Sequence, residues 1–417
     1  MAARLVSALR AGAAWLAVGA LAGGFAVAFR LADGALFARV YHRPDVVSAF
    51  AALPVAARLL VPTLGGALAA ALAARVRGGS GTAEIIAAAR GAGRVPLGPT
   101  LVGAAATFSA ISTGGSLGRE GPLLHFGAAA GAALGRRRQK ASPDAHLLLA
   151  AGTAAGFAAA YNTPIAAVLF VVEVVAGAAS VEVVLPSLTA TTVATLITRW
   201  ALGGGPLYGL RSFSLRSSGE LALYAALGLA SGVVGPAFMA LLDAGRRAFR
   251  RLPVPAAARG ALGGLLVGLC AMRFPEVTGN GYEVLQQMLN GAYTAPLLAV
   301  LLVVKAFGTT ASVASGSPGG VFTPSLFLGG AMGGVIGAAV EVLAHAPHAT
   351  GGFVLVGMAT MIAATTHAPV MASVLAFELS GDYAIVLPLF IATVAATLVS
   401  KRLRARSIYG VGGSVAQ

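Results

Sequence analysis

Gly118-Arg119-Glu120-Gly121-Pro122 stands in the chain with apolar stretches on both sides. An ionisable carboxylate at membrane depth is costly, and where one occurs it marks an ion or proton pathway. Pro122 fits the first turn of a helix, so the motif predicts a helix that starts at Glu120. Gly121 lets another group approach closely. A helix start presents unpaired N–H groups and a partial positive charge, which suit a small anion. A carboxylate there takes the place an anion would occupy, and protonation or displacement vacates it. The motif therefore predicts a gate.

The composition agrees. The chain is 57% hydrophobic and 10% charged, with mean hydropathy +0.84, whereas an ordinary soluble domain is about 25% charged. Apolar runs near the roughly 20 residues a bilayer span requires cover 16–32, 51–74, 147–179, 183–201, 221–242 and 297–313, with more beyond Pro324. The 56 glycines suit membrane helices that pack backbone to backbone. The first apolar run is too long for a cleavable signal peptide and lacks a small-residue processing site.

The net charge of +15 arises from 29 basic and 14 acidic residues. The basic residues gather at the ends of apolar runs: Arg4 and Arg10, Arg136-Arg137-Arg138 with Lys140, and the stretches 246–251 and 401–406. That distribution argues against a nucleic-acid surface. It predicts cytoplasmic termini held against an anionic membrane leaflet. Cys270 is the sole cysteine, which excludes a disulfide framework and a thiolate metal site. The histidines lack metal-ligand spacing, so neither a metal nor a cofactor is expected.

The punctuation of the first half recurs in the second. Gly118, Pro122, Gly127, Gly131 and Gly135 match Gly320, Pro324, Gly329, Gly333 and Gly337 at a constant offset of 202. Pro164 and Glu173 match Pro369 and Glu378 at an offset of 205. The pattern predicts a transmembrane repeat over 1–205, a linker over 206–218 around Pro206 and its polar run, and a second repeat over 219–417. Transporter halves of this kind are often inverted, with helices broken near the midplane and their ends directed at an ion.

Three glycine-rich segments lead into apolar helices: Gly79-Ser80-Gly81-Thr82-Ala83, the Glu120 motif, and the run from Gly316 to Gly320-Val321-Phe322-Thr323-Pro324. Unwound backbone at membrane depth is tolerated only where it is buried in protein or lines a cavity. Three converging helix starts would hold an anion by partial charges and so let it leave, as conduction requires. These segments, in this order, resemble the Gly-Ser-Gly-x-Pro, Gly-Lys/Arg-Glu-Gly-Pro and Gly-x-Phe-x-Pro signatures of the CLC chloride channels and chloride/proton exchangers. Asn162-Thr163-Pro164, Phe377-Glu378 and Ser407-Ile408-Tyr409 extend the resemblance over nearly the whole chain.

The resemblance implies an all-α, multispanning inverted-repeat fold with broken, re-entrant helices. It implies a homodimer with one pore per subunit, moving chloride and possible co-transported protons across a bacterial inner membrane. It makes Ser80 and Tyr409 hydroxyl ligands of a central chloride, the Val321 and Phe322 N–H groups its backbone ligands, and Gly81 and Gly121 parts of the same site. Glu120 becomes the external gate and proton acceptor, with Arg119, Glu173 and Val174 along the pathway. With Tyr409 eight residues from the last residue given, it implies a compact prokaryotic form without cytoplasmic CBS domains.

Two departures stand out. Exchangers of the family carry a proton-transfer glutamate where this chain has Val174, after Glu173. Valine carries no proton, so the sequence favours a channel-like or weakly proton-coupled conductor. The alternative is a chloride/proton antiporter with another internal route, by water or by Glu173. Ala83 replaces the usual proline and could loosen the helix start that aims Ser80, while Ser80 itself favours chloride over fluoride. Glu173 and Glu378, at equivalent repeat positions, suggest a shared structural role. His125 reads as a packing histidine that could also relay protons, and Lys305 must snorkel or find a partner. Gly78-Gly79-Ser80-Gly81 also fits the nucleophile motif of rhomboid-type intramembrane proteases, with His146 or His345 as base. That reading leaves Glu120 and the repeat unexplained.

Overall fold

A computed structural model describes residues 2–76, 81–138, 144–211, 213, 219–343 and 350–410. Ser80, Lys140, His345 and, within the predicted linker, residues 212 and 214–218 lie outside the described residues. The first half supplies α1 (Ala2–Leu36), α2 (Val46–Ala52), α3 (Val55–Ala73), α4 (Thr82–Ala89), α5 (Leu97–Ser112), α6 (Glu120–Arg138), α7 (Asp144–Tyr161), α8 (Pro164–Phe170) and α9 (Val181–Leu202). The second supplies α10 (Gly219–Arg250), α11 (Ala256–Arg273), α12 (Tyr282–Leu289), α13 (Ala295–Ala314), α14 (Phe322–Leu343), α15 (Thr350–Thr366), α16 (Pro369–Ser380) and α17 (Val386–Leu403). Among the described residues, eight helices are long and apolar enough to cross a bilayer, and five apolar helices are shorter.

Two runs that the sequence presents as single spans are broken. The stretch 51–74 divides at Leu53-Pro54, between α2 and α3. The stretch 147–179 divides at Asn162, whose φ of 58° is left-handed; α8 then restarts at Pro164 and ends in a π-helical turn over Val171–Ala176. Asn tolerates that conformation because its short polar side chain bonds locally. Here the Asn162 amide donates to the Gly205 carbonyl, and its Oδ1 accepts from Arg199 Nε at 2.8 Å. His367 adopts the same conformation, at φ 63°, before Ala368-Pro369 and α16. Its position is that of Asn162 plus the repeat offset.

Helix pairing recurs between the halves. α6 lies along α7 as α14 lies along α15, and α1 contacts α9 as α10 contacts α17. The repeated glycines explain the closeness of the first pairs. A Cβ at Gly127 would strike the Gly152 carbonyl, and one at Gly329 the Gly357 carbonyl. Small residues at such positions let helices pack without a hydrophobic driving force. Between the halves, α3 packs on α11 and α8 on α16.

The halves also meet through main chain. Gly118 and Gly320 form an isolated antiparallel bridge: Gly118 N–H donates to Gly320 O at 2.8 Å, and Gly320 N–H donates to Gly118 O at 2.9 Å. Equivalent positions of the two signature motifs thus face each other, in opposite directions, just ahead of the α6 and α14 starts.

Candidate anion site

The bridge fixes where the Glu120 carboxylate goes. A Cβ on Gly118 or on Gly320 would collide with the carboxylate oxygens of Glu120, so only glycine leaves that space. Glu120 is buried, 4% exposed. Its Oε1 accepts from the N–H groups of Phe322 at 2.9 Å and Thr323 at 3.2 Å, and its Oε2 from Thr323 Oγ1 at 2.8 Å. The carboxylate of one helix start therefore sits on the free amides of another. Those amides are the place where a helix would hold an anion.

One cavity of about 130 Å³ is lined by all three helix starts. α4 contributes Thr82 and Ala83 behind its N-cap Gly81, α6 contributes Glu120 and Gly121, and α14 contributes Val321 and Phe322. Tyr409 completes the lining, set edge-on to Phe170 with ring centroids 6.2 Å apart. Its neighbour Ile408 is pinned by an N–H donated to Thr365 O at 2.8 Å. Phe157 forms an apolar wall, T-shaped to Phe322 at 5.3 Å. The structure thus brings together Gly81, Glu120, Gly121, Val321, Phe322 and Tyr409. Val321 is present as lining, while the amides that reach Glu120 belong to the next two residues.

A second cavity, of about 220 Å³, is lined by Arg119, Arg30, Asp33 and Glu283. The Arg119 guanidinium lies over the Tyr282 ring, 4.5 Å from its centroid, a cation–π contact. Consecutive residues thus face separate spaces, Arg119 one cavity and Glu120 the other.

Glu173 and Val174 line neither cavity. Val174 is buried in the helical core, and Glu173 Oε2 accepts the Met371 N–H at 2.7 Å, at the start of α16. His125 Nε2 lies 3.0 Å from the Gly81 carbonyl and 3.8 Å from Glu84, the satisfied packing position its surroundings favour. Lys305 is fully buried; its Nζ donates to Val277 O and Gly279 O, both at 2.9 Å, and sits 5.0 Å from the Phe327 ring centroid. Among the described residues no group of three or more His, Cys, Asp or Glu could hold a metal.

Two residues at the site were passed over in the sequence. Thr323 is the variable position of the Gly-x-Phe-x-Pro motif, yet it gives Glu120 both an N–H and a hydroxyl. Tyr161, also fully buried, is 3.0 Å from Thr323 Oγ1 through its hydroxyl. Its place just before Asn162-Thr163-Pro164 was the available signal.

The family model described as voltage gated chloride channel matches residues 63–401. A Ralstonia nicotianae protein named ClcB-like, a chloride channel protein by the same name, is 39% identical over 376 residues, covering 87% of each chain. The voltage-gated ClC-type chloride channel ClcB of Citrobacter koseri is 35% identical over 319 residues, covering 76% of each. In architecture the chain matches the crystal structure of a slow cyanobacterial Cl⁻/H⁺ antiporter, with a TM-score of 0.86, 24% identity and 96% of each chain covered. These matches leave no place for the intramembrane-protease reading. The chain belongs to the CLC family, the voltage-gated chloride channel family, and is a multi-pass membrane protein of chloride transport rather than an enzyme.

Proposed function

We propose that this protein conducts chloride in a channel-like or weakly proton-coupled manner, with Glu120 as the external gate and proton acceptor. The observation that carries the reading is the Glu120 carboxylate bonded to the Phe322 and Thr323 amides at the edge of the Tyr409 cavity. A group in that place competes with an anion for the same donors. Tyr409, Ser80 and the backbone of Gly81, Gly121, Val321 and Phe322 are proposed to hold the ion. Weak coupling is supported by Val174, which offers no proton where a glutamate would. The Citrobacter koseri relative's name, a chloride channel, points the same way.

The organisation proposed with it is two repeats, 1–205 and 219–417, joined by 206–218. The protein would work as a homodimer in a bacterial inner membrane with both termini cytoplasmic. The swapped contacts of equivalent residues support the repeat boundaries, and the basic helix ends support the orientation.

The deciding experiment is chloride efflux from reconstituted liposomes, with a pH electrode recording protons and valinomycin clamping the potential. Chloride flux without stoichiometric protons is the expected result. Protons driven uphill by chloride would instead make the protein an antiporter with an internal route independent of Val174.

A further inference from the structure

Apart from the Glu120 carboxylate itself, the cavity that holds Phe322 and Tyr409 is built from partial charges, with one exception among its described lining residues. Arg246, near the C-terminal end of α10, is the sole cation among its described lining residues. Its side chain is 42% exposed, so it stands at the mouth rather than against the ion position. A full charge beside a bound anion would hold it. A full charge at the mouth of a low-dielectric cleft raises the local anion concentration and still lets the ion move on.

Asp243, on the same helix, sets how much of that charge an ion meets. Its Oδ2 lies 2.6 Å from Arg404 Nη2, while its Oδ1 is 3.4 Å from Arg246 Nη1. The shorter contact is with Arg404, the residue that ends α17. Asp243 is thus engaged chiefly by Arg404, and the trio of two arginines and one aspartate keeps a net positive charge at the mouth. Were Arg404 neutral, Asp243 would be free to neutralise Arg246.

We propose that Arg246 draws anions into the Glu120–Tyr409 cavity and that Arg404 keeps it available by occupying Asp243. This rests on the reading of the cavity as the chloride pathway.

The test is chloride flux through liposomes at low chloride, repeated at rising ionic strength with an impermeant salt. Arg246→Gln lowers the low-chloride flux roughly threefold or more, since one charge supplies only part of the roughly 10- to 10³-fold focusing of a whole charged cleft, and Arg246→Lys keeps most of it. Arg404→Gln lowers it as well, and Asp243→Asn raises it. Each effect fades as the salt shortens the screening length below about 10 Å. A deficit in Arg246→Gln that ionic strength does not touch, or no deficit, overturns the inference. Should the Asp243 or Arg404 variants fail to fold, the partly exposed Arg246 pair decides alone. Absence of anion flux in the unaltered protein would overturn the pathway itself, a result distinct from flux that is indifferent to Arg246.

Discussion

Glu173 and Glu378 cap each other's halves. Glu173 Oε2 accepts the Met371 N–H at the start of α16, and Glu378 accepts the Ile165 and Ala166 N–H groups at the start of α8, at 3.0 Å and 2.7 Å. Both helices open with proline, and the amides that follow are unpaired because no helical carbonyl lies four residues before them. Removing such a cap costs about 0.5–2 kcal/mol. Glu378→Ala and Glu173→Ala should therefore each lower the melting temperature in detergent. A melting temperature left unchanged in either variant would refute this assignment.

Glu120→Gln should make chloride flux nearly independent of external pH. In the unaltered protein, protonation removes the negative charge that binds the Phe322 and Thr323 amides, so flux should rise as pH falls. Glutamine is neutral throughout, which fixes the high-flux state. A steep pH dependence retained in the variant would remove Glu120 from the role of gate.

Thr323→Val deletes the hydroxyl that donates to Glu120 Oε2 and meets Tyr161. A hydrogen bond to a charged group contributes about 1.5–3 kcal/mol, so the bound position of the proposed Glu120 gate should lose at least about tenfold in occupancy. Flux at neutral pH should rise while the amide contacts remain. Tyr161→Phe removes only the outer partner of that hydroxyl and should have a smaller effect in the same direction. Flux measured across the two variants orders them.

Lys305→Met leaves the Val277 and Gly279 carbonyls without their buried donor. Breaking such an arrangement costs about 1–3 kcal/mol per unsatisfied group. These carbonyls lie just ahead of α12, whose neighbour Asn280 lines the Arg119 cavity. The expected outcome is a lower melting temperature, read by fluorescence during thermal unfolding.

What the sequence made legible was local. The start of α6 at Glu120 follows from Pro122, and the duplication follows from glycine and proline spacing, which survive as steric requirements. The long-range part was hidden. Nothing near Glu173 announces that its partner is Met371, because the pairing depends on how the two halves oppose each other. Lys305 likewise finds its carbonyls 26 and 28 residues away. The break at Asn162 had a signal in Asn-x-Pro, but a continuous apolar run outweighed it. Arg246 read as one of a basic cluster at a membrane boundary, since its place at the cavity depends on how α10 packs on the rest.

The reciprocal capping by Glu173 and Glu378 has a consequence for biogenesis. While the first half is being made, the Ile165 and Ala166 amides await an acceptor that lies 213 and 212 residues further along, respectively. Until α16 is inserted, the start of α8 lacks these acceptors. Each half thus supplies a helix-start acceptor to the other, so two fragments cut between α9 and α10 should gain stability when made together.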